Sequence, residues 1–166
     1  MSPLSRGTRK VMNEYPDAET YQKLYAKYLK KPVSSLTDLA GDLKGKVVWD
    51  LCCGNGEIAM ACFSAGASRV VAVDESPEML RRLTTLDCCG MDDRLEVHCE
   101  AVECFMMKRQ GKGMLPDVIF CRQAINYWLD EFSAGLLRGT MKNGCQFIFN
   151  TFNLSFKRNP LPLGGG

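Results

Sequence analysis

At 166 residues the chain suits one domain and is long enough to bury a substantial core. Its apolar fraction of 46% and charged fraction of 24% are those of an ordinary globular protein, and a net charge of +2 with dispersed basic residues gives no electrostatic argument for nucleic acid. No window has the long uncharged apolar run of a membrane span, and Met1 to Lys10 lacks the apolar stretch of a secretory signal, so a cytoplasmic protein is expected. The densest basic group, Lys27, Lys30 and Lys31, reads as a solvated helix face. Nine cysteines include the adjacent pairs Cys52-Cys53 and Cys88-Cys89 but no C-x-x-C, which argues against disulfide staples and structural zinc. Free cysteine behaves as a small buried hydrophobe, and no resident metal is expected.

The first 45 residues have helical character. Tyr21, Leu24, Tyr25, Tyr28 and Leu29 recur at helical spacing until Pro32 breaks the run, and a second helix is expected over Ser35 to Leu43. Residues 1–45 are thus expected as a helical segment packed on the core, residues 46–156 as the main domain, and residues 157–166, rich in proline and glycine, as a disordered tail.

Five apolar segments follow: Val47 to Leu51, Val70 to Val73, Leu95 to Cys99, Val118 to Cys121 and Phe147 to Phe152. Their centres at Val48, Val71, Val97, Ile119 and Ile148 lie 23, 26, 22 and 29 residues apart, and each gap holds one helix-length segment. Such alternation predicts an α/β fold, a doubly wound and mostly parallel sheet in a three-layer sandwich. Helices are expected over about Gly56 to Ala65, from Ser76-Pro77-Glu78 to near Gly90, over Val102 to Gln110, and over Leu129 to Met141. The last of these is expected to bury Phe132, Leu136 and Leu137.

The chemistry concentrates after the first strand, in Asp50-Leu51-Cys52-Cys53-Gly54-Asn55-Gly56-Glu57. Gly54 and Gly56 permit tight turning and close approach of a ligand, and the amides of the following helix start offer donors. Asp74 closes the second strand, 18 residues after Gly56, near the spacing of an acid that binds ribose hydroxyls. Gly54 to Ala59 also fits the G-x-G-x-x-A variant of the dinucleotide fingerprint, so a nicotinamide-dependent oxidoreductase is one alternative. Asp50 weighs against it: an acid before the loop disfavours pyrophosphate and favours a cationic ammonium or sulfonium.

Asp50 to Gly56 resembles the first motif of class I (Rossmann-like) S-adenosylmethionine-dependent methyltransferases, which reads D-x-G-x-G-x-G in many members. Ala72 to Leu80 is similar to that family's second motif, and the resemblance runs from about Lys46 to Asn153. It implies S-adenosyl-L-methionine as cofactor, with Asp50 near the methionine amino group and Cys52, Cys53, Gly54, Asn55 and Gly56 along the methionine part. It further implies Asp74 on the ribose, Glu75 and Ser76 beside the adenine, Glu100 and Ala101 near the adenine amine, and Arg122 and Gln123 at the methionine moiety.

The expected activity is methyl transfer to a small-molecule acceptor, with Asn126 and Tyr127 lining its pocket; a non-catalytic partner subunit is the other alternative. No catalytic base stands out, since methyl transfer needs mainly in-line placement and the only histidine, His98, falls mid-strand. Tyr15, Tyr21 and Tyr25 are candidates for a lid. Cys52, Cys53, Cys99 and Cys121 share the carboxyl ends of strands and are weighed as thiol ligands for a soft metal, against simple packing. Two departures from the pattern stand out: Cys52 replaces the first glycine, and Glu57 stands where some members have a third. A positive φ at Cys52 would tell against cofactor affinity. Members of the family usually continue past the fifth strand, so the chain is expected to be either a trimmed piece or a shortened member whose fifth strand is an exposed edge, open to pairing in a homodimer.

Overall fold

The computed structural model describes residues 33–87 and 92–150, together with Lys23. The first expected helix, the three tyrosines of the candidate lid, Cys88-Cys89 with Gly90, and the tail lie outside these residues. The described chain opens with a short helix α1 (Ser34–Thr37) that tightens into a 3-10 turn over Asp38–Ala40. Gly41, at φ 70°, ends this element earlier than the sequence suggested, and Leu43 is buried from the following loop.

Strands and helices then alternate: β1 (Val47–Leu51), α2 (Glu57–Ser64), β2 (Arg69–Asp74), α3 (Pro77–Asp87), β3 (Leu95–Cys99), α4 (Val102–Arg109), β4 (Val118–Arg122), α5 (Ile125–Trp128), α6 (Glu131–Thr140) and β5 (Gln146–Asn150). The sheet order is β3-β2-β1-β4-β5, and every neighbouring pair is parallel. β1 is central and buried along its whole length, which is why Val47-Val48-Trp49 reads as an unbroken apolar run.

Alternation along the strands divides the core into two layers. Val48, Val70, Ala72, Val118 and Phe120 face one side, where they meet Ile58, Ala59 and Cys62 of α2 and Leu80 and Leu83 of α3. Trp49, Leu51, Val71, Val73, Ile119 and Cys121 face the other, against Phe105 and Met106 of α4, Ile125 and Trp128 of α5 and Leu137 of α6. Each fully buried large apolar side chain contributes roughly 1.5–3 kcal/mol, so this double layer is the main stabilising force. The three-layer, doubly wound architecture expected from the sequence is the one observed.

The helix expected over Leu129 to Met141 is α6, which starts at Glu131 because Asp130 caps it, and the short α5 precedes it. Its Oδ1 accepts the Ser133 N–H at 2.8 Å, and its own N–H donates to Ser133 Oγ at 2.7 Å. This reciprocal pair satisfies free donors at the helix start and fixes where the helix begins. Rotating the helix onto that cap buries Leu137 and leaves Phe132 47% exposed, against expectation, with Leu136 half-buried.

Among the described residues, no helix is long and apolar enough to cross a membrane.

Candidate functional site

Strand order reverses between β1 and β4: β2 and β3 lie to one side, β5 to the other. A crevice for ligands opens at such a switch point, outside the carboxyl ends of the strands. The predicted residues gather at that end of the sheet: Asp50 to Gly56 after β1, Asp74 to Ser76 after β2, Glu100 and Ala101 after β3, and Arg122, Gln123, Asn126 and Tyr127 after β4.

The loop after β1 is held to β2 by two contacts. The Cys53 N–H donates to the Val73 carbonyl at 2.9 Å, and the Gly54 N–H donates to Asp74 Oδ2 at 2.8 Å. The other carboxylate oxygen of Asp74 accepts the Ser76 N–H at 2.9 Å. Burial raises the Asp74 pKa, and these two amides partly offset the rise. A carboxylate has about four acceptor positions, so Asp74 keeps room for two hydroxyl donors beyond the loop. Ser76 then starts α3: its carbonyl accepts the Leu80 N–H at 3.2 Å and its Oγ the Met79 N–H at 3.4 Å.

Gly56 explains why the loop turns so tightly. It has φ 81°, and a Cβ there would come within 2.4 Å of Leu83 Cδ2 on α3. Only a residue without a side chain lets α2 start against α3.

Asp50 is 1% exposed, beneath the loop, with Oδ2 accepting the Ala59 N–H of α2 at 3.0 Å. It therefore acts as an internal anchor for the start of α2 and favours that helix electrostatically. Its Oδ1 is buried without a hydrogen-bond partner. Burial pushes the Asp50 pKa up to about 7, Asp74 adds to the rise, and the Ala59 amide and Arg122 oppose it.

Cys52 adopts φ 56°, the left-handed conformation that the first glycine of the motif would take without strain. The side chain joins the layer of Trp49 and Cys121. A hydrogen bond with Cys121, then burial, holds its thiol pKa well above the usual range. Cys121 is buried and accepts the Trp128 Nε1–H at 3.3 Å, while Cys99 is exposed on the outer strand β3. Among the described residues no group of three or more His, Cys, Asp or Glu side chains could hold a metal ion, so the four thiols do not assemble as ligands. Packing explains three of them.

At the far side of the crevice, Arg122 Nη1 pairs with Glu57 Oε2, linking the end of β4 to the first residue of α2. Gln123 follows with φ 58°, and its N–H donates to both Asn150 Oδ1 at 2.9 Å and the Asn150 carbonyl at 3.2 Å. Asn150, at the end of β5, was not singled out from the sequence; an asparagine closing an apolar strand carries no motif. Asn126 and Tyr127 lie on α5 with exposed side chains, while the neighbouring Trp128 is core. Glu100 pairs with Lys108, and Ala101 caps α4 in extended conformation. His98 is half-buried between Glu96 and Glu100, its ring 5.0 Å from that of Phe105, on the outer strand rather than at the crevice.

No family model matches the chain. Among curated proteins it is similar to a ribosomal protein L11 methyltransferase of Vibrio cholerae, 32% identical over 112 residues, or 66% of this chain and 34% of the relative. The chain thus spans about a third of the length of that relative. Among solved structures, an S-adenosylmethionine-dependent methyltransferase from Mesorhizobium loti matches at TM-score 0.51 and 25% identity, covering 74% of this chain and 55% of that one. A putative methyltransferase of the same kind from Listeria monocytogenes matches at TM-score 0.58 and 22% identity, covering 70% and 52%.

A doubly wound domain with a glycine loop and a β2 carboxylate at its switch point has the class I methyltransferase fold. The chain thus has the fold of class I S-adenosylmethionine-dependent methyltransferases, and its sequence is similar to curated methyltransferases over about a third of their length. One expectation is corrected by the same comparison. The curated relatives are named for methylating a ribosomal protein, which overturns the expected small-molecule partner.

Proposed function

We propose that this chain is the cofactor-binding domain of an S-adenosylmethionine-dependent methyltransferase acting on a polypeptide acceptor. The observation that carries the reading is the Asp74 carboxylate, held at the switch point by the glycine loop with acceptor positions to spare. The orphaned, buried Asp50 Oδ1 also fits a cofactor with a cationic end, which would not suit a pyrophosphate.

When bound, the cofactor supplies an electrophilic methyl group on a sulfonium. Asp74 would take the ribose hydroxyls, with Glu75 and Ser76 beside the adenine and Glu100 and Ala101 at its amine. The backbone from Cys52 to Gly56 would follow the methionine part, and Arg122 and Gln123 would close it from β4. Asn126 and Tyr127 would face the acceptor. Asp50, at 1% exposure, is too buried to serve an acceptor as a base; its part is to orient the loop and set the local charge. Placing nucleophile and methyl carbon in line accounts for most of the catalysis this reading requires. The polypeptide acceptor rests on the relatives' names alone.

Calorimetric titration with S-adenosylmethionine, S-adenosylhomocysteine and NAD tests the cofactor, with Asp74→Ala as control. Binding of the first two, lost in the control, is expected; binding of NAD alone would overturn the reading. Transfer of labelled methyl to purified ribosomal protein L11, measured against a panel of small amines, then tests the acceptor. Label confined to the amines would overturn the polypeptide acceptor.

A further inference from the structure

Two non-glycine residues among those described have left-handed backbones, Cys52 at φ 56° and Gln123 at φ 58°. They follow adjacent strands, β1 and β4, at the point where strand order reverses. A left-handed conformation is costly for an L-residue and persists only where the surroundings enforce it. For Gln123 the enforcing contact is visible. Its N–H is shared between the side-chain and main-chain oxygens of Asn150, and both bonds come from the last residue of β5, beside Arg122 in register. Gln123 is only 9% exposed, yet its side-chain amide makes no hydrogen bond among the described residues. The amide atoms are not among the fully buried unpaired ones, so donor and acceptor stay open to a ligand.

We infer that Asn150 is a positioning residue: it clamps Gln123 in the left-handed turn that presents the Gln123 amide to whatever fills the crevice. This rests on the cofactor-binding reading above. Asn150 acts at a distance, through the backbone of Gln123, and no cofactor contact is assigned to it. An asparagine suits the task because its Oδ1 accepts a hydrogen bond.

The test is a double-mutant cycle read by calorimetric binding of S-adenosylhomocysteine to the full chain, at a temperature where every variant is folded by circular dichroism. Asn150→Ala is expected to weaken binding by about three- to tenfold, the effect of the one net hydrogen bond to Oδ1, since the backbone carbonyl remains. Asn150→Asp, which keeps the acceptor oxygen, is expected to recover most of that loss. In a Gln123→Gly background the same Asn150→Ala change is expected to have less than a twofold effect, because glycine needs no clamp to hold φ 58°. Equal effects of Asn150→Ala in both backgrounds, or no recovery with Asn150→Asp, would overturn the clamp while leaving the cofactor assignment intact. Failure of the unsubstituted chain to bind the probe would overturn the cofactor reading, and the clamp's role in binding with it.

Discussion

The Asp74 carboxylate accepts the Gly54 N–H at 2.8 Å across 20 residues of sequence, so the acid proposed to bind ribose also ties down the glycine loop. The two duties are separable, because the loop contacts occupy one acceptor position on each oxygen. Asp74→Asn preserves shape but removes the charge and turns one acceptor into a donor. Hydrogen bonds to charged groups are worth about 1.5–3 kcal/mol, so the variant is expected to lose roughly 10- to 150-fold in affinity for S-adenosylhomocysteine. A change below twofold in calorimetry would show that Asp74 serves only the loop.

Cys52 occupies a glycine's conformation, and its substitution should follow backbone strain rather than side-chain size. Cys52→Gly relieves strain of about 1–2 kcal/mol while losing thiol packing and adding unfolded-state freedom, so stability should stay within about 1 kcal/mol of the parent. Cys52→Val adds β-branching to the same φ and should lose about 2–3 kcal/mol. Urea denaturation gives the ranking directly, and a valine variant as stable as the glycine one would contradict it.

Gly56→Ala meets two obstacles at once: φ 81° and a Cβ 2.4 Å from Leu83 Cδ2. Leu83 is fully buried, so relief requires moving α3 away from α2. A loss of about 2–4 kcal/mol is expected by denaturant unfolding, together with weaker cofactor binding. Stability within 0.5 kcal/mol of the parent (roughly the scatter of a neutral surface change) would show that the contact is soft.

Asp50 and Glu96 should shape the pH dependence of stability in opposite directions. The folded Asp50 pKa of about 7 lies above the ordinary carboxyl value of 3.8, so the native state holds a proton that the unfolded chain releases. Stability from this group is therefore highest below about pH 4 and falls as pH rises to 7, by on the order of 4 kcal/mol at most. Glu96 behaves the other way: burial opposes its charge, but Arg69, His98 and Arg109 outweigh that and lower its pKa from 4.5 to about 2. Its contribution is present above about pH 4.5 and is lost as pH falls towards 2. Melting temperatures from pH 3 to 8 should thus show a flatter neutral limb in Asp50→Asn and a flatter acid limb in Glu96→Gln. Curves parallel to the parent would refute both assignments.

Most of the fold was legible because it depends on local patterns. Five short β segments at near-regular spacing, with Ser76-Pro77 and glycine stops between them, encode strand, helix and turn within a few residues of each position. The tight loop from Asp50 to Gly56 and the acid closing β2 were equally readable, since a sharp turn after a strand needs glycine. The buried face of helix α6 was less so. Its start depends on Asp130 meeting Ser133, and the cap decides which side of Phe132 and Leu137 faces the core.

Other relationships came from packing between distant segments. Asp50 reads in sequence as a ligand for a cation, but the closure of α2 over it makes it first an anchor for Ala59. Cys52 carries no sign in its residue type that its φ would be 56°; the bond from Cys53 to Val73 on β2 imposes that path. Asn150 reaches Gln123 only because β5 pairs with β4 in one register. Short-range patterns of polarity and turn residues settle which elements form and in what order. The charge states, strained turns and clamps at the crevice arise when burial removes water and leaves each polar group to the partners that the sheet brings near it.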